Sequence, residues 1–294
     1  ANYSIAIGSQ SLKALTTGGG NLAVGYQALN NVTTGANNIA IGSVALQAAD
    51  GDEDDNIAIG KDTMGNLNHD NADKNIAIGS YAGDGMGAYA NINNIFIGYD
   101  SGGGTWGAAS TQNVGIGYQS MYGAMNAATD NTALGTNSLR ALTTGDNNVA
   151  IGSGALYAAT ALTKTVAIGY NAMQAATDTS GQYTVAIGSE ALQAGTQCAQ
   201  SVAVGYQAGY QVTTGNNNTL VGYQAGDGFD AEADNTFIGH SAGGGAINGA
   251  DKSVGVGSLA LGGGALSEDG MVAVGYKALT ACVAGASNVA VGFE

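Results

Sequence analysis

Small aliphatic residues recur along the chain as triplets closed by glycine: Ile5-Ala6-Ile7-Gly8, Leu22-Ala23-Val24-Gly25, Ile39-Ala40-Ile41-Gly42, and so on to Val289-Ala290-Val291-Gly292. The glycines stand at positions 8, 25, 42, 60, 79, 98, 117, 135, 152, 169, 188, 205, 222, 239, 257, 275 and 292, seventeen anchors spaced 17 to 19 residues apart. The residue before each is Ile, Val or Leu, and the one three before is Ile, Val, Leu or Thr. That period of two with β-branched enrichment predicts a short strand ending at every anchor. The third residue after the glycine is always Ala, Ser or Thr and the fourth is Leu, Met or Gly, which predicts a second short extended segment behind it.

One strand, one further extended segment and two turns per repeat make a coil of a β-solenoid, each strand pairing in parallel with its copy in the next coil. The predicted fold is therefore all-β, a parallel β-solenoid or β-roll of about seventeen coils, with residues 1–294 forming a single repeat domain. Coils stacked at roughly 4.8 Å would give a rod about 80 Å long. Asn occupies the position four before the glycine in eleven repeats, from Asn21 to Asn288, and a fixed Asn column can form a side-chain ladder.

Within the strand, the flanking Ile/Val pair is expected to fill the coil and the middle residue to point outward. That middle residue is Ala in twelve repeats, an unusual choice for a solvated sheet. Such a column predicts close side-by-side packing of chains through Ala23, Ala40, Ala58, Ala77, Phe96, Ala133, Ala150, Ala167, Ala186, Ala203, Phe237 and Ala273, most economically as a homotrimer about a long axis. Leucine at Ala150 and Ala167 is then expected to disturb assembly more than coil folding.

Composition fits a ladder protein. The chain has 50 Gly, no Pro and only 10% charged residues; proline would remove a ladder donor at nearly every position. A disordered chain needs more charge and less apolar content, and collagen needs glycine at every third residue with proline. Seven Lys+Arg against 22 Asp+Glu give a formal net charge of −15, which argues against nucleic acid or anionic lipid as partner. No transmembrane helix and no signal peptide are expected.

The run Asn-Ile-Ala-Ile-Gly at Asn38–Gly42, Asn56–Gly60 and Asn75–Gly79 resembles the head repeat of YadA-like trimeric autotransporter adhesins, a left-handed β-roll. The fuller form Gly215-Asn216-Asn217-Asn218-Thr219-Leu220-Val221-Gly222-Tyr223-Gln224-Ala225-Gly226 is similar to repeats of bacteriophage tail fibres. The resemblance covers the whole chain and implies a trimeric extracellular fibre that spaces or presents a host-binding surface. The repeat here is longer than that of the adhesin head, and neither a coiled-coil stalk with membrane anchor nor an autocleaving chaperone domain is recognisable. The chain is expected to be a portion of a longer fibre polypeptide.

Chemistry is sparse. His69 and His240 lie ten anchors apart, and no Ser-His-Asp, CxxC or HExxH spacing occurs, so no enzyme activity and no organic cofactor are expected. Cys198 and Cys282 are five coils apart, roughly 24 Å at the stacking distance, too far to pair within a chain. The clusters Gly18–Gly20, Gly102–Gly104, Gly243–Gly245 and Gly262–Gly264 read as tight turns, since no P-loop Lys-Ser/Thr completes them. Asp50, Asp52, Asp54 and Asp55, beside Glu53, are candidate Ca²⁺ ligands, and the looser run Asp227, Asp230, Glu232, Asp234 is a second; the favoured reading in each case is a solvated acidic loop.

Tyr follows the anchor in seven repeats (Tyr26, Tyr99, Tyr118, Tyr170, Tyr206, Tyr223, Tyr276), often with Gln behind it. Corner packing is the favoured reading of this column, while Tyr118, Tyr206 and Tyr223 are candidate receptor contacts that could stack sugars. Trp106, in an atypical turn, is the best single candidate for an exposed contact or an anchor between chains. The function these features predict is a structural and adhesive fibre segment, outside the cell or on a virion, that binds itself and a host-surface glycan or receptor. Its variable loops at 50–55, 84–93 and 226–234 would carry any specificity. The alternatives are an ice- or surface-binding solenoid and a calcium-stabilised extracellular roll.

Overall fold

The computed structural model describes residues 3–177, 182–245, 249–263, 269–281 and 287–294. It falls into two compact units, residues 1–147 and 148–294. The first carries strands β1 (Ile5–Ile7) to β8 (Thr132–Leu134) and the second β9 (Val149–Ile151) to β17 (Val289–Val291), each three residues long and each lying on one predicted triplet. Within a unit, successive strands pair in parallel and in register, as in Ile39↔Ile57, Ala40↔Ala58 and Ile41↔Ile59. The fold is thus the predicted parallel β-solenoid.

Its polarity is the reverse of the expectation. Ala23, Ala40, Ala58, Ala77, Phe96 and Ala133 in the first unit, and Ala150, Ala167, Ala186, Ala203, Phe237 and Ala273 in the second, are all fully buried within a single chain. These columns are core and cannot form a seam between chains. The flanks point outward instead: Ile78, Leu134, Ile187 and Ile238 are each more than a third exposed. Volume decides this. The inside of so short a coil must also hold the apolar residue four past the glycine (Leu29, Leu46, Met64, Leu139), the small residue before it, and a loop residue such as Val32, Leu67 or Leu142, all buried. What remains admits a methyl group, and the β-branched flanks are left on the outer face, where they suit the pleated strand.

The exceptions prove the accounting. Where the middle residue is Phe96, the fourth position is Gly102 and the next middle position is Gly115, and a Cβ at either would lie 2.8 Å from the Phe96 ring. Phe237 is matched in the same way by Gly243 and Gly255, and Leu220 by Gly209 and Gly226. Interior volume is conserved coil by coil.

The second extended segment is not formed. After each glycine the chain runs through a turn in which alternate residues adopt left-handed conformations, for example Gln27 (φ 57°) and Leu29 (φ 48°), Asp62 (53°) and Met64 (46°). An L-residue resists this region by roughly 1–2 kcal/mol. The alternation is held by hydrogen bonds to both neighbouring coils: the Asp62 N–H donates back to the Ser43 carbonyl (3.0 Å) and the Leu46 N–H donates forward to the Thr63 carbonyl (3.1 Å). The strand ends do likewise, with Ile39 N–H to the Asn56 carbonyl and Gly60 N–H to the Ile41 carbonyl, both 2.8 Å. Backbone donors in strand and turn alike are therefore committed between coils, which accounts for the lack of proline.

The asparagine column is a ladder of side chain to backbone. Asn56 Oδ1 accepts the Asn75 N–H at 3.0 Å, and Asn56 Nδ2 donates to the Ala72 carbonyl at 2.8 Å. The same pair of bonds recurs at Asn21 and Asn38. In the second unit Thr184 takes the place, its Oγ1 donating to the Cys198 carbonyl at 2.7 Å. We expect Asn56→Ala, which orphans a buried N–H and a buried carbonyl, to cost about 2 kcal/mol, read as a lower denaturation midpoint at unchanged m-value.

Candidate functional site

With the alanines inside, the outer surface of the sheet consists of two rows of aliphatic side chains. In the first unit they run Ile39, Ile57, Ile76, Ile95, Val114 and, two residues on in each strand, Ile41, Ile59, Ile78, Ile97, Ile116, with no charged residue in either row. The second unit repeats the arrangement with Val, Ile and an occasional Thr. Exposed contiguous apolar surface of this kind marks an interaction face. The outward-facing apolar positions thus lie one residue to either side of the predicted column. The compensation of Phe96 by Gly102 and Gly115 is the sequence signal that could have placed the middle position inside.

Beside the sheet runs the corner column that follows the anchors. Tyr118, Tyr206 and Tyr223 are 43–48% exposed, as expected of contact residues, yet they stack on their neighbours in the next coils. Tyr99 and Tyr118 are 5.7 Å apart and nearly parallel, Tyr206 and Tyr223 5.3 Å, and Tyr223 and His240 5.2 Å with planes 5° apart. Tyr223 therefore has both ring faces covered and offers only its edge and hydroxyl; a sugar cannot stack on it. The Gln residues alongside form their own chain, Gln224 Nε2 donating to Gln207 Oε1 (2.9 Å) and Gln207 Nε2 to Glu190 Oε2 (2.7 Å).

Trp106 is not an exposed contact. It is 3% exposed and meets Phe96 edge to face at 5.7 Å, because the coil with Gly102 at its fourth position uses Phe96 and Trp106 to fill the volume that Leu or Met and a loop residue smaller than Trp fill elsewhere. Phe229 and Phe237 repeat the solution in the second unit.

The acidic loops are tied into the solenoid. Of the four candidate metal ligands at 50–55, Asp50, Asp52 and Asp55 are exposed, and Asp54 Oδ1 accepts the Ala36 N–H at 2.6 Å while Asp73 Oδ1 accepts the Asp54 N–H. Asp50 alone is drawn into a carboxylate cluster, with Glu53 and Asp70, whose oxygens lie within 4.8 Å of one another. Glu53 is the buried member. Its oxygens accept the Gly51 N–H (3.0 Å) and the His69 N–H (3.1 Å), and burial raises its pKa. Glu232 does the same in the second acidic loop, accepting from Asp230, Ala231 and Gly249. The composition of these loops reads as metal chemistry, but Glu53, Asp54 and Glu232 act as acceptors for backbone N–H groups of neighbouring coils. Cys198 is a buried free thiol pushed up to about 12 by burial, unreactive at neutral pH; Cys282 lies outside the described residues.

Asp84 is held up to about 6 by burial and by the carboxylates of Asp62 and Asp100, with Asn66 Nδ2 donating to it at 3.0 Å. A carboxyl raised in the folded state binds its proton more tightly there than in the unfolded chain. Its penalty is absent below the unfolded pKa, near 4, and complete above about 6. Asp84→Asn should leave thermal stability unchanged at pH 4 and raise Tm by about 1 °C at pH 7.5, a small gain because the group is partly solvated.

No protein-family model and no curated protein matches the sequence. No helix among the described residues is long and apolar enough to cross a membrane.

Proposed function

We propose that the chain is a structural and adhesive segment of an extracellular fibre, on a cell surface or a virion, that works as a homotrimer packed through the aliphatic face of its sheet. The observation that supports this is the pair of uncharged Ile/Val rows left on the outside of a coil whose own interior is already full. A second copy is the fitting occupant, because around a three-fold axis parallel to the stack each coil meets the same coil of its neighbours and the ladder spacings match at every level. Repetition then sets length and stiffness without new chemistry. The rows hold threonine only at Thr132, Thr219 and Thr236, too few for the array an ice-binding face requires.

Sedimentation equilibrium at micromolar concentration should return three chains. Ile59→Lys with Ile97→Lys, both on the outer face, should return monomers whose circular dichroism is unchanged. A wild-type monomer would sink the assembly, and a double variant that stays trimeric would move the seam elsewhere.

A further inference from the structure

In the second unit, Gln174, Gln193 and Tyr210, members of the column five past each anchor, line an open groove of about 470 Å³. Ala194, Gln211, Thr213 and Asp230 complete its lining. The groove crosses several coils and so offers the same kind of polar group at successive levels.

Its walls are set rather than loose. Gln193 Nε2 donates to Gln174 Oε1 at 2.9 Å, which fixes both amide planes and leaves the Gln193 carbonyl and a Gln174 N–H for a ligand. Thr213 Oγ1 donates to the Asp230 carbonyl at 3.2 Å, and the Thr213 and Thr214 N–H groups bond the same oxygen, so the turn bearing the Asp230 carboxylate is anchored to the preceding coil. Tyr210 differs from the corner tyrosines: the column neighbours on its two sides are Gln193 and Asp227 rather than aromatic rings, so its ring is not covered by a stack.

We propose that this groove binds an uncharged oligosaccharide. Planar amides and a carboxylate that can bridge adjacent hydroxyls, a threonine acceptor and an aromatic ring for the apolar face of a pyranose are the few convergent polar groups on a concave surface that such a ligand needs. The lining contains no Lys or Arg, and Asp230 makes it negative, which disfavours sialylated or phosphorylated glycans and anionic peptides. The inference deepens the adhesive half of the proposed function and does not depend on the number of chains.

The test is a titration of the purified chain with neutral hexose and N-acetylhexosamine oligosaccharides, followed by side-chain NMR shifts and calorimetry. A neutral oligosaccharide is expected to bind and to perturb Tyr210 and the Gln174 and Gln193 amides. Tyr210→Ala and Asp230→Asn should each weaken binding by about tenfold or more, with Tm and sedimentation unchanged. Binding of anionic glycans alone, binding that both variants retain, or no neutral ligand at millimolar concentration would each overturn the site. Assembly measured on the same samples separates that outcome from failure of the fibre reading.

Discussion

Leucine or phenylalanine in place of Ala167 should break the coil, not the assembly. Ala167 is fully buried and pairs in register with Ala150 and Ala186, and the space beside it is taken by Met173, also fully buried. Leucine adds three carbons to a filled interior, for which overpacking costs about 1–3 kcal/mol; phenylalanine should cost more than about 4 kcal/mol, in the range that signals a core defect. The chain itself shows the remedy. Ala167→Phe combined with Met173→Gly and Ala186→Gly rebuilds the set found at Phe96, Gly102 and Gly115, and should recover most of the loss. Denaturant midpoints of the single, double and triple variants form the cycle that isolates the coupling. A single Ala167→Phe variant with wild-type stability would put the alanine column back on the surface. Equal stability of the single and triple variants would show that the volumes are not shared.

Most of the architecture was legible because it is written as period. The glycine spacing locates every strand, the triplets set the register, and the Asn column and the absence of proline announce a ladder. Polarity was not legible from hydrophobicity, because a three-residue strand of Ile-Ala-Ile has apolar groups on both sides and the larger ones are naturally assigned to the core. The volume pattern holds the answer, since Phe appears in the middle only where Gly replaces Leu or Met four past the anchor. The turn was hidden for a different reason. Nothing in the propensities of Leu46 or Met64 suggests a left-handed conformation, which only the bonds to both neighbouring coils sustain. The same holds for the site: Trp106 and the carboxylates of 50–55 look exposed from local composition, and it is contact with neighbouring coils that buries Trp106 and occupies Glu53 and Asp54. The groove lined by Gln174, Gln193 and Tyr210 escapes a linear reading because its residues are a full coil apart.

Alanine at Gly60 should cost far more than one added methyl group usually does. Gly60 has φ +142°, a region open almost only to glycine, where a side chain costs of order 1–3 kcal/mol. Its Cβ would also lie 2.6 Å from the Gly79 carbonyl carbon and oxygen and from Thr63 Oγ1. Relief requires the coil ending at Gly60 to move away from the one ending at Gly79, and that stretches the Gly79 N–H bond to the Ile59 carbonyl, now 2.7 Å. Torsion and clash add, so a loss of more than about 4 kcal/mol is expected, with hydrogen-exchange protection falling first in the strands Ile57–Ile59 and Ile76–Ile78. Gly249 supplies the control. It too has positive φ, +92°, but a Cβ there meets nothing within 4 Å among the described residues, so Gly249→Ala carries the torsional cost alone and should lose about 1–3 kcal/mol. If the two substitutions proved equally costly, backbone torsion and not the spacing of the coils would be what keeps glycine at every anchor.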